Sequence, residues 1–262
     1  MLWDTHTHTH FSGDSEAKPE DMIAAARRSG LSGICFTDHL DLDYPKEPEL
    51  FWMDPDSYFR ELAPLACEDV HIGIELGLQP HLPKTLRMIT ESYPFDFVIG
   101  SSHVAHGMDP YYPEFFKGRS EEDAYMEYFT EILINIAAFD DFDVYGHLDY
   151  VVRYGPNRNK FYSYEKYADV IDLILRTLIE HGKGIEINTS GFRCGLGHPS
   201  PTEDVLRRYR QLGGEIITIG SDAHTPEDIA CDFAKVPGIL KDAGFQYFTV
   251  FEKRKPHFLK LP

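Results

Sequence analysis

The chain has 262 residues, 42% of them hydrophobic, enough to bury a full core and close to the usual size of a single α/β barrel. Lys and Arg total 25 against 43 Asp and Glu, a formal net charge of −18, so most of the surface repels phosphate backbones and no nucleic-acid partner is expected. The four cysteines, Cys35, Cys67, Cys194 and Cys231, have no CxxC or short paired spacing, which excludes a zinc ribbon and a disulfide scaffold and leaves reduced thiols.

The chain opens Met-Leu-Trp-Asp-Thr-His, without a basic segment or an apolar run of signal-peptide type, and no stretch of 18 apolar residues follows. A soluble cytoplasmic protein with no membrane partner is the expectation. Short β-branched or aromatic runs then alternate with helical patterns. Strands are predicted over 2–8, 32–37, 70–76, 96–102, 142–147, 184–188 and 215–220, with helices over 19–29, 54–67, 83–92, 120–139, 163–181, 202–212 and 226–242. Lys18-Pro19-Glu20-Asp21 and Ser200-Pro201-Thr202-Glu203 are start signals for two of these helices. Seven βα units imply a parallel sheet, and ligand-type residues ending nearly every strand favour a closed, irregular barrel over an open sheet. Phe245 to Phe251 reads either as an extra strand or as a terminal clasp, and the irregular stretches 41–53 and 104–119 read as functional loops.

The first strand carries Asp4, His6, His8 and His10 at period two, so all four are predicted to face the interior. Later strands end in Thr37-Asp38-His39, Glu75, His103, His147 and Asp222-Ala223-His224. Any one of these histidines, taken alone, is more often a core imidazole bonded to a backbone carbonyl. Six strand ends presenting the same donor types point instead to clustered metal ions. Mixed imidazole and carboxylate donors suit Zn, Mn or Fe better than Mg or Ca. Three such ions would add about six positive charges at one place and invert the local field of this acidic chain.

This ordered set, from His6 to His224, resembles the polymerase-and-histidinol-phosphatase (PHP) superfamily, whose motifs are HxH, TDH, a bridging Glu, two later His and a final DxH. The resemblance implies an α/β fold, a distorted (β/α)7 TIM-like barrel, with residues 1–262 as one domain and a site for three divalent ions (Zn, Fe or Mn). It implies that His6, His8, Glu75 and Asp222 hold the first ion. Glu75 would bridge to a second, held also by His103 and His147, while Asp14, His39 and His224 would hold the third. Asp14 stands where some relatives have His, which keeps the donor count. His10 matches no ligand position and is expected to line the site. Asp38 either fixes a neighbouring imidazole or caps a helix. Pro113-Glu114-Phe115, Gly146-His147-Leu148-Asp149-Tyr150 running to Arg153-Tyr154-Gly155, and Asn188-Thr189-Ser190-Gly191 look like the histidinol-phosphate phosphatase branch.

That branch implies hydrolysis of a small phosphate monoester in histidine biosynthesis, with a metal-bridging hydroxide as nucleophile and no covalent intermediate. Arg153 is the first candidate for a bidentate phosphate donor, ahead of Arg193 and Arg158. Asn188 and Ser190 are candidate substrate hydrogen-bonders. Asp41, Asp43 or Glu114 would pair with a cationic leaving group, and His198, Asp222 or a metal-bound water would supply its proton. Two other readings keep the fold: a PHP phosphoesterase for phosphotyrosine or small nucleotides, and a metal-binding module without turnover.

Overall fold

The computed structural model describes residues 1–262. Strands β1 (Trp3–Thr7), β2 (Gly33–Phe36), β3 (His39–Leu40), β4 (Val70–Gly77), β5 (Phe97–Ser101), β6 (Val144–Tyr145), β7 (Gly184–Asn188) and β8 (Ile217–Gly220) form one parallel sheet in the order β1-β2-β4-β5-β6-β7-β8. Beyond β8 the chain returns to β1: Thr7 bridges Ala223 in parallel, the Asp222 amide donates to the His6 carbonyl at 2.9 Å, and the His8 amide donates to the Ala223 carbonyl at 2.9 Å. The result is a nearly closed barrel of seven strand positions, as the alternation of βα units predicts. β3 continues β2 after a break at Thr37 and Asp38 and pairs with the second half of β4, where His39 lies opposite Glu75.

Helices α1 (Pro19–Arg28), α2 (Pro55–Leu62), α3 (Pro83–Ser92), α4 (Glu121–Ala138), α5 (Ala168–Glu180), α6 (Ser190–Arg193), α7 (Glu203–Gln211) and α8 (Val236–Asp242) cover the outside. Proline in the first turn of α1, α2, α3 and α8 costs no hydrogen bond there. The Asp54 carboxylate caps α2 through the Ser57 amide at 3.2 Å, and the Ser120 hydroxyl caps α4 through the Asp123 amide at 3.1 Å. The buried residues of α4, including Tyr125, Tyr128, Phe129, Ile132 and Ile136, recur at helical spacing and lay one apolar face on the barrel. One core cluster of 61 buried residues runs between helices and sheet.

Three predicted helices are shorter than expected; the one predicted over 163–181 opens with a 3-10 turn at Tyr164–Tyr167 and becomes α5 only from Ala168. α2 stops at Leu62 rather than 67 because Pro64 has no amide hydrogen with which to continue the i→i−4 ladder, although Ala63 before it still holds a helical conformation. The predicted helix 226–242 is broken into a short 3-10 turn, an irregular stretch with Ala230 and Asp232 in the left-handed region, a second 3-10 turn and α8.

The closing segment is a clasp. β9 (Tyr247–Glu252) and β10 (Lys255–Lys260) make an antiparallel hairpin under the amino end of the barrel. His71 Nδ1 pairs with the Phe251 carbonyl at 2.8 Å, and Arg254 Nε donates to Asp143 Oδ2 at 2.6 Å. The Phe251 ring stacks on Phe97 at 5.1 Å and completes a small interior cluster with Cys35, Ile99 and Val144. The floor is therefore apolar and filled, and the polar interior begins above it.

Candidate metal centre

Above that floor the inward residues of successive strands change from apolar to ligand type. His6, His8, Glu75 and Glu186 are fully buried, and His103, His147 and Asp222 nearly so. His6, His8 and Asp222 bring donor atoms within 4.8 Å of one another, as do His6, Glu75 and His147, then His8, His39 and His224, and then His39, Asp41 and His103. Glu75 lies at the centre. Its carboxylate is 3.3 Å from His6 Nε2, 2.9 Å from His39 Nδ1, 3.3 Å from His103 Nε2 and 2.9 Å from His147 Nε2. Asp14 joins from the loop after β1, 3.3 Å from His224 Nε2.

The hydrogen bonds behind these rings fix which nitrogen faces the centre. Glu186 accepts from His6 Nδ1 at 2.9 Å, Asp41 pairs with His103 Nδ1 at 2.7 Å, and Ser12 Oγ pairs with His8 Nδ1 at 3.0 Å. Ser12 donates in turn to Asp38 Oδ1 at 2.8 Å, so its oxygen accepts the His8 proton. Each ring thus commits Nδ1–H to its partner and leaves Nε2 as the atom that faces the centre. His6 Nε2, His8 Nε2, Glu75 Oε2 and His224 Nε2 are buried without a hydrogen-bond partner. Orphaned acceptors at such depth are costly in an apolar interior, and a convergent set of imidazoles and carboxylates fits clustered divalent cations.

In the metal-free protein these groups compensate one another. Burial alone would depress the His39 imidazolium, but the charge and hydrogen bond of Glu75 together with the charge of Asp14 outweigh it and push the pKa up to about 9. His6 and His103 are likewise raised, because Glu186 and Glu75 for the first, and Asp41 and Glu75 for the second, overcome burial. The same imidazoliums hold Glu75 well below the usual carboxylate range despite its burial. Groups raised in this way hold protons at neutral pH that an incoming cation must displace. Metal uptake at pH 7.5 is therefore expected to release protons, with affinity rising towards pH 9; calorimetry in buffers of different ionisation enthalpy measures the number.

Asp222 occupies the left-handed region at φ 56°, which is unfavourable for a residue with a Cβ. Arg193 Nη2 donates to its carbonyl at 2.8 Å, and the Asp222 amide is taken by His6, so both sides of the strained residue are pinned. Gly220 is required nearby: a Cβ there would stand 2.4 Å from His6 Cβ and 2.8 Å from Glu186 Oε2.

The PHP domain model matches residues 4–190, which carry His6 through His147 of this cluster. The chain belongs to the PHP domain family. Over 96% of its length it is 33% identical to "Histidinol-phosphatase" of Lactococcus lactis, covering 95% of that protein. It is also 33% identical to a "Probable histidinol-phosphatase" of Clostridium acetobutylicum, over 97% of this chain and 98% of that one. A solved structure of histidinol phosphate phosphatase from Lactococcus lactis, complexed with Zn, L-histidinol and phosphate, superposes with a TM-score of 0.89 and 33% identity over 98% of both chains. A second solved structure, from Listeria monocytogenes, is 18% identical with a TM-score of 0.73 over 89% of this chain and 99% of that one, a likeness of fold.

The PHP cluster opens to solvent through a cleft lined by Asp14, His39, His103, Asp109, Arg153 and Asp222 among others, with Phe51, Tyr150 and Tyr154 as its apolar wall. Arg153 reaches this cleft from the turn after β6. Its Nη2 donates to Ser190 Oγ at 2.5 Å and lies 3.6 Å from Asp222 Oδ2.

The other predicted substrate residues lie elsewhere. Asn188 and Ser190 sit beneath Arg153 and Asp222, where Ser190 Oγ donates to Asn188 Oδ1 at 2.5 Å, so they brace the cleft floor instead of facing its opening. Arg193 is spent on the carbonyls of Ser221 and Asp222, and Arg158 Nη1 donates to the Cys194 carbonyl at 3.2 Å on the surface. His198 pairs through Nδ1 with the Pro199 carbonyl at 2.7 Å and does not line the cleft, which argues against a role in proton transfer there. Asp41 is bonded to His103, Asp43 pairs with exposed His81 at 3.0 Å, and Glu114 pairs with Lys46 at 3.5 Å, so none of the three is free for a ligand in the cleft. Asp38 caps no helix. It accepts from Thr9 and Ser12 and acts on His8 through the latter.

His10 is a further correction. β1 ends at Thr7, the chain turns, and the His10 ring is exposed with Nε2 3.3 Å from Glu61. His8→Ala is expected to abolish turnover and reduce bound metal, whereas His10→Ala leaves metal content nearly intact; metal analysis of the two purified variants checks this.

Glu186 and Asp41 were not picked out as imidazole-orienting groups in the sequence. The signal for Glu186 was there: Gly184-Ile-Glu-Ile-Asn188 alternates, which turns its carboxylate inward beside His6 and the His147 amide, the latter at 2.7 Å. Glu186→Gln is expected to weaken metal binding by about 10- to 100-fold without unfolding the barrel, measured by competition with a chromogenic chelator.

Proposed function

We propose that the chain is a metal-dependent phosphomonoesterase whose substrate is L-histidinol phosphate, yielding L-histidinol and phosphate. The observation that carries this reading is the inward-facing set of imidazole and carboxylate donors with Arg153 at its mouth, in a chain so similar over its whole length to proteins named for that activity. His6, His8, Asp14, His39, Glu75, His103, His147, Asp222 and His224 would hold three divalent ions, of which Zn, Fe and Mn suit the donors. Residues 1–262 would work as one domain around the shared core.

Bound cations supply a water acidified to near neutrality and neutralise the phosphoryl oxygens. The protein's part is positioning and charge. Arg153 offers a planar guanidinium to the phosphoryl oxygens that face away from the cluster, a geometry that suits developing negative charge. Asp222, beside both His8 and Arg153, keeps the guanidinium aimed along the cleft. Phe51, Tyr150 and Tyr154 exclude bulk water from the leaving-group side and strengthen each polar contact. No helix is long and apolar enough to cross a membrane, and the expected partner is a small phosphate ester.

The test is a substrate panel offered to metal-reconstituted protein: histidinol phosphate, phosphotyrosine, a nucleotide and a dinucleotide diester. A preference for histidinol phosphate of at least roughly tenfold in kcat/KM, about 1.4 kcal/mol, supports the assignment. Equal or better turnover of phosphotyrosine or the nucleotide overturns it.

A further inference from the structure

Away from the metal cluster, three ligand-type side chains meet where the chain after β5 rests on α4. Ala105 and Met108 pair across a tight turn, and His106 at its corner turns its ring toward the helix. His106 Nε2 lies 3.7 Å from Glu127 Oε1 and 3.5 Å from Glu131 Oε2. The two glutamates stand four positions apart on α4, so both side chains emerge on one face of it. Arg119 takes the other Glu127 oxygen, Oε2, and leaves Oε1 to face His106.

Glu131 sets this group apart from an ordinary surface cluster. Its side chain is only 6% exposed, no hydrogen-bond donor of the protein reaches its carboxylate, and it points at His106. Burial raises its pKa above the usual carboxylate range; the His106 charge opposes that rise and the Glu127 charge adds to it. A carboxylate at such depth is costly until a cation compensates it, and a neutral imidazole does not. The spacing is informative too. Separations of 3.5 and 3.7 Å are long for hydrogen bonds but near the edge of about 3.4 Å between two ligands on one tetrahedral zinc ion with bonds of about 2.1 Å. Pairs inside the metal cluster have the same spacing: His6 stands 3.3 Å from Glu75 and His8 3.4 Å from Asp222.

We propose that His106, Glu127 and Glu131 form a further cation site, separate from the cluster, that takes a zinc-class divalent ion with water completing its shell. One imidazole and two carboxylates are a donor set that suits such an ion. The bound ion pins the turn to α4. That turn lies between the ligand His103 and the cleft-lining Asp109, so occupancy fixes the path of the chain from the cluster to the cleft wall.

The experiment counts zinc. Metal-reconstituted wild type, His106→Ala and Glu131→Gln are dialysed against zinc buffered over a range of free concentrations, and bound zinc per chain is measured by mass spectrometry. At the upper end of the range the wild type is expected to hold one equivalent more than either variant. At the lower end, where only the more deeply buried cluster fills, all three should hold the same amount and turn over substrate equally. The reading is a difference between proteins, so it stands whatever number of ions the cluster takes and whatever ester it hydrolyses. Equal zinc in wild type and both variants across the range overturns the proposal, as does a loss of cluster zinc in step with the substitution. A second measurement covers a Glu131→Gln protein that folds poorly. Zinc added beyond cluster saturation should raise the Tm of the wild type, because a ligand bound only by the folded chain stabilises it, and should leave that of His106→Ala, whose ring is exposed, unchanged. An equal rise in both overturns the proposal.

Discussion

Glu75→Gln is expected to remove turnover almost entirely, by roughly a thousandfold or more, about 4 kcal/mol at the transition state. The substitution keeps the shape of the side chain and removes one charge at the point where His6, His39, His103 and His147 converge. Two consequences follow from the electrostatics of the site. A carboxamide is a far weaker cation ligand than a carboxylate, so if Glu75 holds metal the metal content of the purified protein should drop along with activity. The raised imidazoles also lose the neighbour that raises them, so His39 should titrate well below its value of about 9 in metal-free protein, an effect that NMR of the ring protons detects. Near-normal activity with full metal content would show that Glu75 is a packing residue and the cluster is centred elsewhere.

Arg153→Ala should leave metal content unchanged and lower kcat/KM by about 10²- to 10³-fold, or about 2.7–4 kcal/mol, the range for loss of one well-placed donor to a developing oxyanion. Arg153→Lys is expected to recover only part of this. A lysine ammonium restores the charge, but not the planar fork that can engage Ser190 and a phosphoryl oxygen together. Both variants keep the imidazole cluster, so metal analysis separates them from Glu75→Gln. An Arg153→Ala enzyme with wild-type kcat/KM would move the phosphate contact to another residue.

Much of this site could be read along the chain because a parallel barrel gathers the carboxyl ends of its strands at one end. Each strand end contributes its own donor, and the donors need no knowledge of one another to be recognised: Glu75, His103, His147 and Asp222 announce themselves by local position. The orienting residues are different. Glu186 matters because it meets His6, 180 positions away, and Asp41 because it meets His103, 62 positions away; neither pairing leaves a local periodicity. His10 shows the converse failure, since strand alternation continues on paper past Thr7 while the backbone turns away. Arg193 and Asn188 look like ligand contacts by residue type and are consumed by the protein's own carbonyls and hydroxyls. In the fold, Pro64 was visible in the predicted helix 54–67 and sets its early end. The left-handed residues Ala230 and Asp232 gave no comparable warning.

The hairpin under the barrel has a consequence for traffic. With Phe251 and Phe97 sealing the floor, the cleft is a blind well with a single mouth. For the proposed substrate, a phosphoryl group bound at the cluster would enter first and lie deepest, and the alcohol released by hydrolysis would stand between it and solvent. Departure is then ordered by geometry: the alcohol leaves before phosphate, and inorganic phosphate competes with the next substrate for the bottom of the well.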